Sequence, residues 1–249
     1  MEKYMDIKTE KKRLQDIAHV HSYMDGFNGR LTQYRAKKIK ELYKGGGRLL
    51  DIGAGEGVLT NLIAANFEEI WIVEESELYI KKAAKTLERY NTKVFHQLME
   101  EFRTQEKFDL VVAAGVLEHV KEPRKILRKV KSWLRDRGQF IAIVPNALSL
   151  HRRVGLHMGF MRNYYELGEL DAKVGHRRYY DLDSLKDAVM TAGLYVISSG
   201  GILLKPLPNI DMERLSEGYC DALYELGRDY PELCAEVFVS CSLKNSQDT

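Results

Sequence analysis

The residues best suited to chemistry lie in the stretch LLDIGAGEGVLT, Leu49 to Thr60. It opens as an apolar run, carries the carboxylate Asp51, and then places Gly53, Gly55 and Gly57 on alternate positions before an amphipathic run resumes. A strand that turns into a helix through glycines lets a ligand lie against bare backbone. That is the pattern of a nucleotide-type cofactor site. The glycines alone do not choose the cofactor, because dinucleotide dehydrogenases also place glycines after a first strand, in the order Gly-x-Gly-x-x-Gly. Here the order is Gly53-x-Gly55-x-Gly57.

Asp51 narrows the choice. A carboxylate at a strand end repels a pyrophosphate but receives an ammonium group, directly or through water. The cofactor it calls for carries an amine near the loop and no phosphates, a description that S-adenosylmethionine meets. Glu74 follows the apolar run Ile70 to Val73, where a carboxylate can accept both hydroxyls of a ribose. Such a residue serves nicotinamide and adenosyl cofactors alike. Either acid by itself reads equally as a solvated strand-end residue; together, in register with the glycines, they point to a ligand.

The elements that must position these residues are legible in the hydrophobic pattern. Apolar, β-branched runs at Arg48 to Ile52, Ile70 to Val73, Lys93 to Phe95, Leu110 to Ala113 and Phe140 to Val144 read as buried strands. Val58 to Asn66, Leu78 to Tyr90 and Pro123 to Arg135 have helical spacing between them. Strands alternating with helices imply a parallel sheet covered on both faces, with ligands at the carboxyl ends of the strands. A helix over Leu31 to Tyr43 precedes the sheet. After the fifth strand, Asp181 caps a helix that runs to about Met190. Leu194 to Ser199 and Ile202 to Lys205 read as strand, Met212 to Leu226 as helix and Glu236 to Leu243 as a last strand. The expected fold is thus α/β, a Rossmann-like doubly wound sheet of about seven strands. It is mostly parallel, with an antiparallel last strand and an insertion after the fifth.

In the order and spacing of its motifs, the stretch from about Arg30 to Gly193 resembles the class I S-adenosylmethionine-dependent methyltransferases. LLDIGAGEGVLT is similar to their first motif, WIVEES to the second, and FDLVVAAGVLEHV followed by Pro123 to the fourth. RGQFIAIVPN resembles their fifth strand, and GHRRYYDLDSLKDAVMTAGL the helix leading to the sixth. The resemblance implies that Gly53, Ala54 and Gly55 line the methionine part of the cofactor, that Asp51 holds its amine and that Glu74 holds its ribose. It places adenine against the backbone at Met99 and against Glu100, since Leu98 stands where many relatives have an aspartate. Ala113, Ala114 and Gly115 would close the floor.

Methyl transfer from a sulfonium is an in-line displacement with an activated donor, so the protein mainly aligns and desolvates the pair. A base is needed only for a protonated, weakly acidic nucleophile. Glu118 and His119, just after the fourth strand, are the candidates for base or acceptor contact; for His119 a structural role capping its loop is the stronger reading. In some ubiquinone-pathway relatives a Glu-x-x-Glu-His arrangement binds a divalent metal. Gly115 stands at the first of those positions, so no metal is expected.

Residues 146 to 180 form the insertion that should choose the acceptor, because long insertions between core elements are disproportionately functional. Between His151 and Arg178 there are six Lys and Arg, three Asp and Glu and three His. That balance suits a partner carrying phosphate or carboxylate. His151, His176, Arg177, Arg178 and Tyr180 are the candidate acceptor contacts. Residues 1–30 read as an N-terminal lid or docking segment, with a mixed patch of His19, His21, Tyr23, Met24 and Phe27, of which Tyr23 is a further acceptor contact. Residues 31–249 make the main domain.

A chain of 249 residues with a net charge of +2 and 30% charged residues is globular and too mildly basic for a dedicated nucleic-acid binder. No membrane segment is expected, and the charged N-terminus lacks the apolar core of a secretory signal. Cys220, Cys234 and Cys241 are odd in number and lack metal or redox spacing, which suggests buried cytoplasmic thiols. The expected activity is methyl transfer to oxygen or nitrogen of a small anionic metabolite, such as a nucleotide-linked sugar, a glycan precursor or a natural product; a homo-oligomer is compatible with the sequence. The rival readings are a methyltransferase acting on RNA or protein, a non-catalytic S-adenosylmethionine-binding regulatory or assembly protein and, more distantly, a nicotinamide dehydrogenase.

Overall fold

The computed structural model describes residues 2–20 and 26–243, with side chains over 8–18 and from 26 onward. Two helices, α1 (Glu2–Val20) and α2 (Gly26–Leu42), precede the sheet. The alternating part follows as β1 (Arg48–Ile52), α3 (Val58–Ile63), β2 (Glu69–Glu74), α4 (Glu77–Thr86), β3 (Thr92–His96), β4 (Phe108–Ala114), α5 (Pro123–Trp133) and β5 (Leu134–Pro145). A 3-10 turn, Ala64–Asn66, prolongs α3. The insertion then supplies α6 (Leu150–His157) and α7 (Glu169–Lys173). The chain ends with α8 (Leu182–Thr191), β6 (Tyr195–Leu204), α9 (Asn209–Met212), α10 (Glu217–Leu226) and β7 (Cys234–Ser242).

The seven strands form one sheet in the order β3-β2-β1-β4-β5-β7-β6. β7 runs antiparallel to both β5 and β6, and the remaining pairings are parallel. This is the doubly wound sheet with an antiparallel last strand that the sequence pattern predicts. Side chains of a strand alternate between faces, so neighbouring residues serve different cores. Leu50 and Ile52 join Phe108, Val111, Trp133 and Leu185 on one side, while Leu49, Ile70, Leu110 and Val112 join Ile39 and Tyr224 on the other. The strand order reverses between β1 and β4, and the crevice beyond their carboxyl ends is where such sheets take ligands.

Several boundaries differ from the sequence reading. α2 begins at Gly26, five residues earlier than the apolar spacing suggests, with Phe27 buried. β5 starts at Leu134, directly after α5, because Leu134 pairs with Phe108 ahead of a register shift; its exposed charged residues, Arg135 to Arg137, hid that half of the strand. The two apolar runs around Gly200 and Gly201 are one continuous strand, β6. At Gly201 an added Cβ would lie 2.5 Å from the Cys234 sulfur and 2.6 Å from the Pro231 carbonyl oxygen. That glycine permits close packing and makes no turn. Of the predicted helix over Met212 to Leu226 only Glu217 to Leu226 forms, as α10, with Ser216 capping it through the Tyr219 N–H; Met212 is the last residue of α9.

Gly57, at the start of α3, has φ 75, and an added Cβ would sit 3.2 Å from the Ala83 Cα on α4. A β-branched residue meets both the left-handed penalty, about 1–2 kcal/mol, and the neighbouring helix backbone. Gly57→Val is expected to lower stability by at least about 2 kcal/mol in urea unfolding; an unchanged midpoint would contradict the packing described.

Candidate active site

The β1 to α3 loop is shaped by glycines in the left-handed region, with φ 72 at Gly53 and 54 at Gly55. The Gly53 N–H donates to the Val73 carbonyl at 2.8 Å and that of Gly57 to the Ala54 carbonyl at 3.0 Å. The loop is tied to β2 by Glu74. One of its carboxylate oxygens accepts from the Gly55 N–H at 3.0 Å, and the other accepts from the N–H groups of Glu75 and Ser76, each at 2.9 Å. Burial raises the Glu74 pKa in spite of these three donors.

Asp51 is 2% exposed, and its Oδ2 accepts from the Thr60 hydroxyl at 2.6 Å. Burial pushes its pKa up to about 7; the Thr60 hydrogen bond opposes this and the charge of Glu74 adds to it. Two acids are thus desolvated at the ends of adjacent strands, where a cation would be favoured. A small cavity of about 330 Å³ beside Asp51 is lined by Thr32, Arg35, Gly53, Ala54 and Ala114. An α-amino acid group could place its ammonium at Asp51 and its carboxylate at Arg35.

A second cavity of about 670 Å³ continues along the sheet edge from Gly53 past Val73 and Glu74 to Leu98, Met99 and Glu100. Its walls are largely apolar, which suits a purine ring and sugar. The Lys129 ammonium holds the far wall by donating to the carbonyls of Met99, Glu100 and Phe102. Burial raises the pKa of Glu100. The cavity is covered by α1, through Glu10, Arg13, Leu14 and Ile17. On one side Gln15 donates to the Glu75 carbonyl at 3.1 Å and Lys11 pairs with Glu75 at 3.3 Å. On the other, Arg13 reaches the Gly175 carbonyl at 2.9 Å, and Arg177 pairs with Glu10 at 2.6 Å.

Gly115, His119 and Ile17 line both this cavity and a wider cleft of about 1580 Å³. The wide cleft is walled by α2 residues, by Glu118, by His151 and Arg152 of α6, by Asp171 and His176, and by Lys205 and Glu236. Glu118 is 1% exposed, and burial pushes its pKa up to about 7. Lys205 is likewise buried, and its pKa falls to about 8, chiefly through desolvation. Burial also takes His151 down to about 3, so its imidazole is neutral, and its Nδ1 has no hydrogen-bond partner among the described residues. Glu236 is held by Arg35, whose Nε donates to it at 2.8 Å.

Of the residues picked from the sequence, Asp51, Gly53, Ala54 and Ala114 line the small cavity and Gly53, Glu74, Met99 and Glu100 the second, Gly55 lines neither but donates to Glu74, and Glu118, His119, His151 and His176 line the wide cleft. Arg177, Arg178 and Tyr180 line none of these. Arg177 is turned towards α1 and the His119 carbonyl, Arg178 donates to the Lys121 carbonyl at 3.1 Å, and Tyr180 is buried in the core. Tyr23 and its neighbours over 21–25 lie outside the described residues. Sequence reasoning missed Arg35, Asp171, Lys205 and Glu236, which come from α2, from α7, from the residue after β6 and from β7, far apart in the chain. The lid or docking reading of residues 1–30 rested on the patch around His19 to Phe27, whereas the residues that line the cavity, Glu10, Arg13, Leu14 and Ile17, lie earlier, on α1.

Comparison with known proteins accords with this geometry. A family model described as a methyltransferase domain matches residues 20–199. (S)-coclaurine N-methyltransferase of Papaver somniferum is 32% identical over 101 residues, 38% of this chain and 28% of that protein. Malonyl-[acyl-carrier protein] O-methyltransferase of Halalkalibacterium halodurans is 25% identical over 192 residues, 69% of this chain and 66% of that one. The chain therefore spans less than a third of the poppy enzyme's length and about two thirds of the bacterial one's. Among solved structures, a possible histamine N-methyltransferase of Thermotoga maritima superposes with a TM-score of 0.61 at 20% identity, covering 86% of this chain and 88% of the other. A methyltransferase of Mesorhizobium loti gives 0.62 at 14% identity, covering 84% and 97%. With its family model matched over most of its length, the chain belongs to the S-adenosylmethionine-dependent methyltransferases, and S-adenosylmethionine is its cofactor.

Proposed function

We propose that the protein methylates an oxygen or nitrogen of a small, anionic metabolite. In this reading Asp51 receives the cofactor's ammonium, Gly53, Ala54 and Gly55 lie along its methionine part, and Arg35 meets its carboxylate. Glu74 takes the ribose hydroxyls, while Met99 and Glu100 flank the adenine. The bound cofactor supplies a methyl group already activated on a sulfonium. What the chain adds is alignment: α1 excludes water from one side as a lid, and Gly115 leaves the wall between the two cavities open towards the acceptor. Glu118 and His119 stand on that wall as acceptor contacts or proton acceptors.

The observation that carries the acceptor class is Lys205. Its ammonium is buried in the wide cleft, 5.5 Å from the Phe27 ring centroid, and the acid acting on it, Glu236, is already held by Arg35. A buried ammonium is costly unless an anion meets it. Two residues before it Leu203 adopts φ 62, a strained backbone of the kind that collects at ligand sites. A carboxylate or phosphate on the acceptor would satisfy Lys205, with His151 as a neutral neighbour. Among the relatives are both an N- and an O-methyltransferase by name, which fits either acceptor atom.

Two experiments test this. The first incubates the protein with methyl-labelled S-adenosylmethionine and a panel of nucleotide-linked sugars, glycan precursors and acidic natural products. Label should appear in an anionic small molecule, and Lys205→Met should raise that acceptor's KM by at least about tenfold with S-adenosylhomocysteine affinity unchanged. Label found only in RNA or protein would overturn the reading. The second follows S-adenosylhomocysteine binding by calorimetry across pH. With Asp51 titrating near 7, an ammonium ligand requires the ionised form, so affinity should rise about tenfold between pH 6 and 8 and then level. Because the folded protein holds this proton more tightly than the unfolded chain, ligand-free stability falls as pH climbs from the ordinary Asp range through about 7. Asp51→Asn should therefore flatten the binding profile and raise the melting temperature at pH 8; a profile identical to the wild type's would remove Asp51 from the site.

A further inference from the structure

Arg177 lines none of the cavities, yet through it the roof of the cofactor cavity meets the wall of the acceptor cleft. Its backbone N–H donates to the Glu118 carbonyl and its Nε to the His119 carbonyl, each at 2.8 Å. Those two bonds fix the guanidinium against the loop after β4 and leave its Nη2 to reach α1, where it donates to the Glu10 carboxylate at 2.6 Å. Glu10 also accepts from Arg13, and Arg13 donates in turn to the Gly175 carbonyl at 2.9 Å and to the His119 carbonyl at 3.3 Å. Gly175 has φ 80, and a Cβ added there would overlap Arg13 and Ile17. α1 thus rests directly on the backbone of the insertion.

Elsewhere α1 is lightly held. Among its described residues none belongs to either hydrophobic core, and its opposite edge is fastened by Gln15 and Lys11 to Glu75. A helix with polar anchors and no core side chain opens at low cost. The strongest of these anchors is the Glu10 carboxylate between two guanidiniums, because charge-assisted hydrogen bonds exceed neutral ones. On the reading that α1 is the cofactor's lid, we propose that Arg177 is the positioning residue that latches it, and that the latch joins cofactor retention to the shape of the acceptor cleft.

The joint has two sides. Towards the cofactor, Glu10, Arg13, Leu14 and Ile17 line the cavity. Towards the acceptor, Leu170, Asp171, Val174 and His176 line the wide cleft, and Ile17 of α1 completes that wall. A cofactor beneath α1 gives Leu14 and Ile17 a surface to pack on, so the helix stays seated on Gly175 and Arg177. The seated helix then backs residues 170–176 and shapes the cleft. Cofactor and acceptor affinities are thereby linked, and each ligand strengthens the other by the same factor. Arg177 touches neither ligand and acts through α1.

Hydrogen exchange on the full chain, with S-adenosylhomocysteine as the probe, tests the latch. The product should slow exchange over residues 8–18 of α1 and also over 170–176, which line neither cofactor cavity. Glu10→Gln and Arg177→Met should each speed product dissociation in stopped flow by at least about fivefold and abolish the slowing over 170–176. The double variant should be no worse than either single one, as for two partners of one contact. Lys11→Met frees only the opposite edge of α1 and should keep the slowing over 170–176. Exchange over 170–176 that ignores the product in the wild type, or a response there that survives Arg177→Met, would overturn the latch while the cofactor site stands. Absence of S-adenosylhomocysteine binding in the wild type would instead overturn the cofactor site, and with it the lid that the latch holds.

Discussion

Two buried carboxylates, Asp51 and Glu74, stand at the ends of neighbouring parallel strands on either side of a glycine loop, and the rest of the architecture depends on that placement. Each is desolvated, the charge of Glu74 raises the cost of ionising Asp51, and that of Glu75 does the same for Glu74. The fold tolerates them because Thr60 supplies one hydrogen bond to Asp51 and three backbone N–H groups surround Glu74. That is enough to hold the acids in place without neutralising them. A cationic ligand with neighbouring hydroxyls relieves what the fold leaves unresolved, whereas a pyrophosphate would add to it.

From this pair the site extends in two directions. Along the sheet edge, apolar residues and the Lys129-braced carbonyls shape a cavity for a flat ring, and α1 roofs it with polar anchors on both sides. Past Gly115 the crevice widens into a cleft whose chemistry comes from outside the alternating core: α2 gives Arg35, the insertion gives His151, Arg152, Asp171 and His176, β6 is followed by Lys205, and β7 gives Glu236. The residues of the cofactor crevice and those of the wide cleft thus come from different parts of the chain, as expected where a common fold is adapted by its loops.

The same division decides what the sequence made legible. β1 runs over the residues its pattern predicts, Arg48 to Ile52, because a strand buried on both faces is a mainly apolar run, interrupted here by Asp51. The Asp181 cap of α8 was readable because capping is a local exchange, here with Ser184. Local signals failed where a distant contact decided the outcome. Gly200 and Gly201 separate two apolar runs in the sequence, yet they lie within one strand, with Cys234 pressed against the second of them. Arg177 and Arg178 look like acceptor contacts, yet their partners, Glu10 and the His119 and Lys121 carbonyls, are fixed only by tertiary packing. His176 and Glu118 are 58 residues apart in number and meet across one wall, a proximity that no spacing rule carries.

The most direct measurement is a crystal structure with S-adenosylhomocysteine bound. The amine is expected on Asp51, the ribose hydroxyls on Glu74, the adenine between Leu98, Met99 and Glu100, and the sulfur at Gly115 facing the cleft that holds His119 and Lys205. A product molecule seated elsewhere, or one whose sulfur faces a wall closed to that cleft, would contradict this placement.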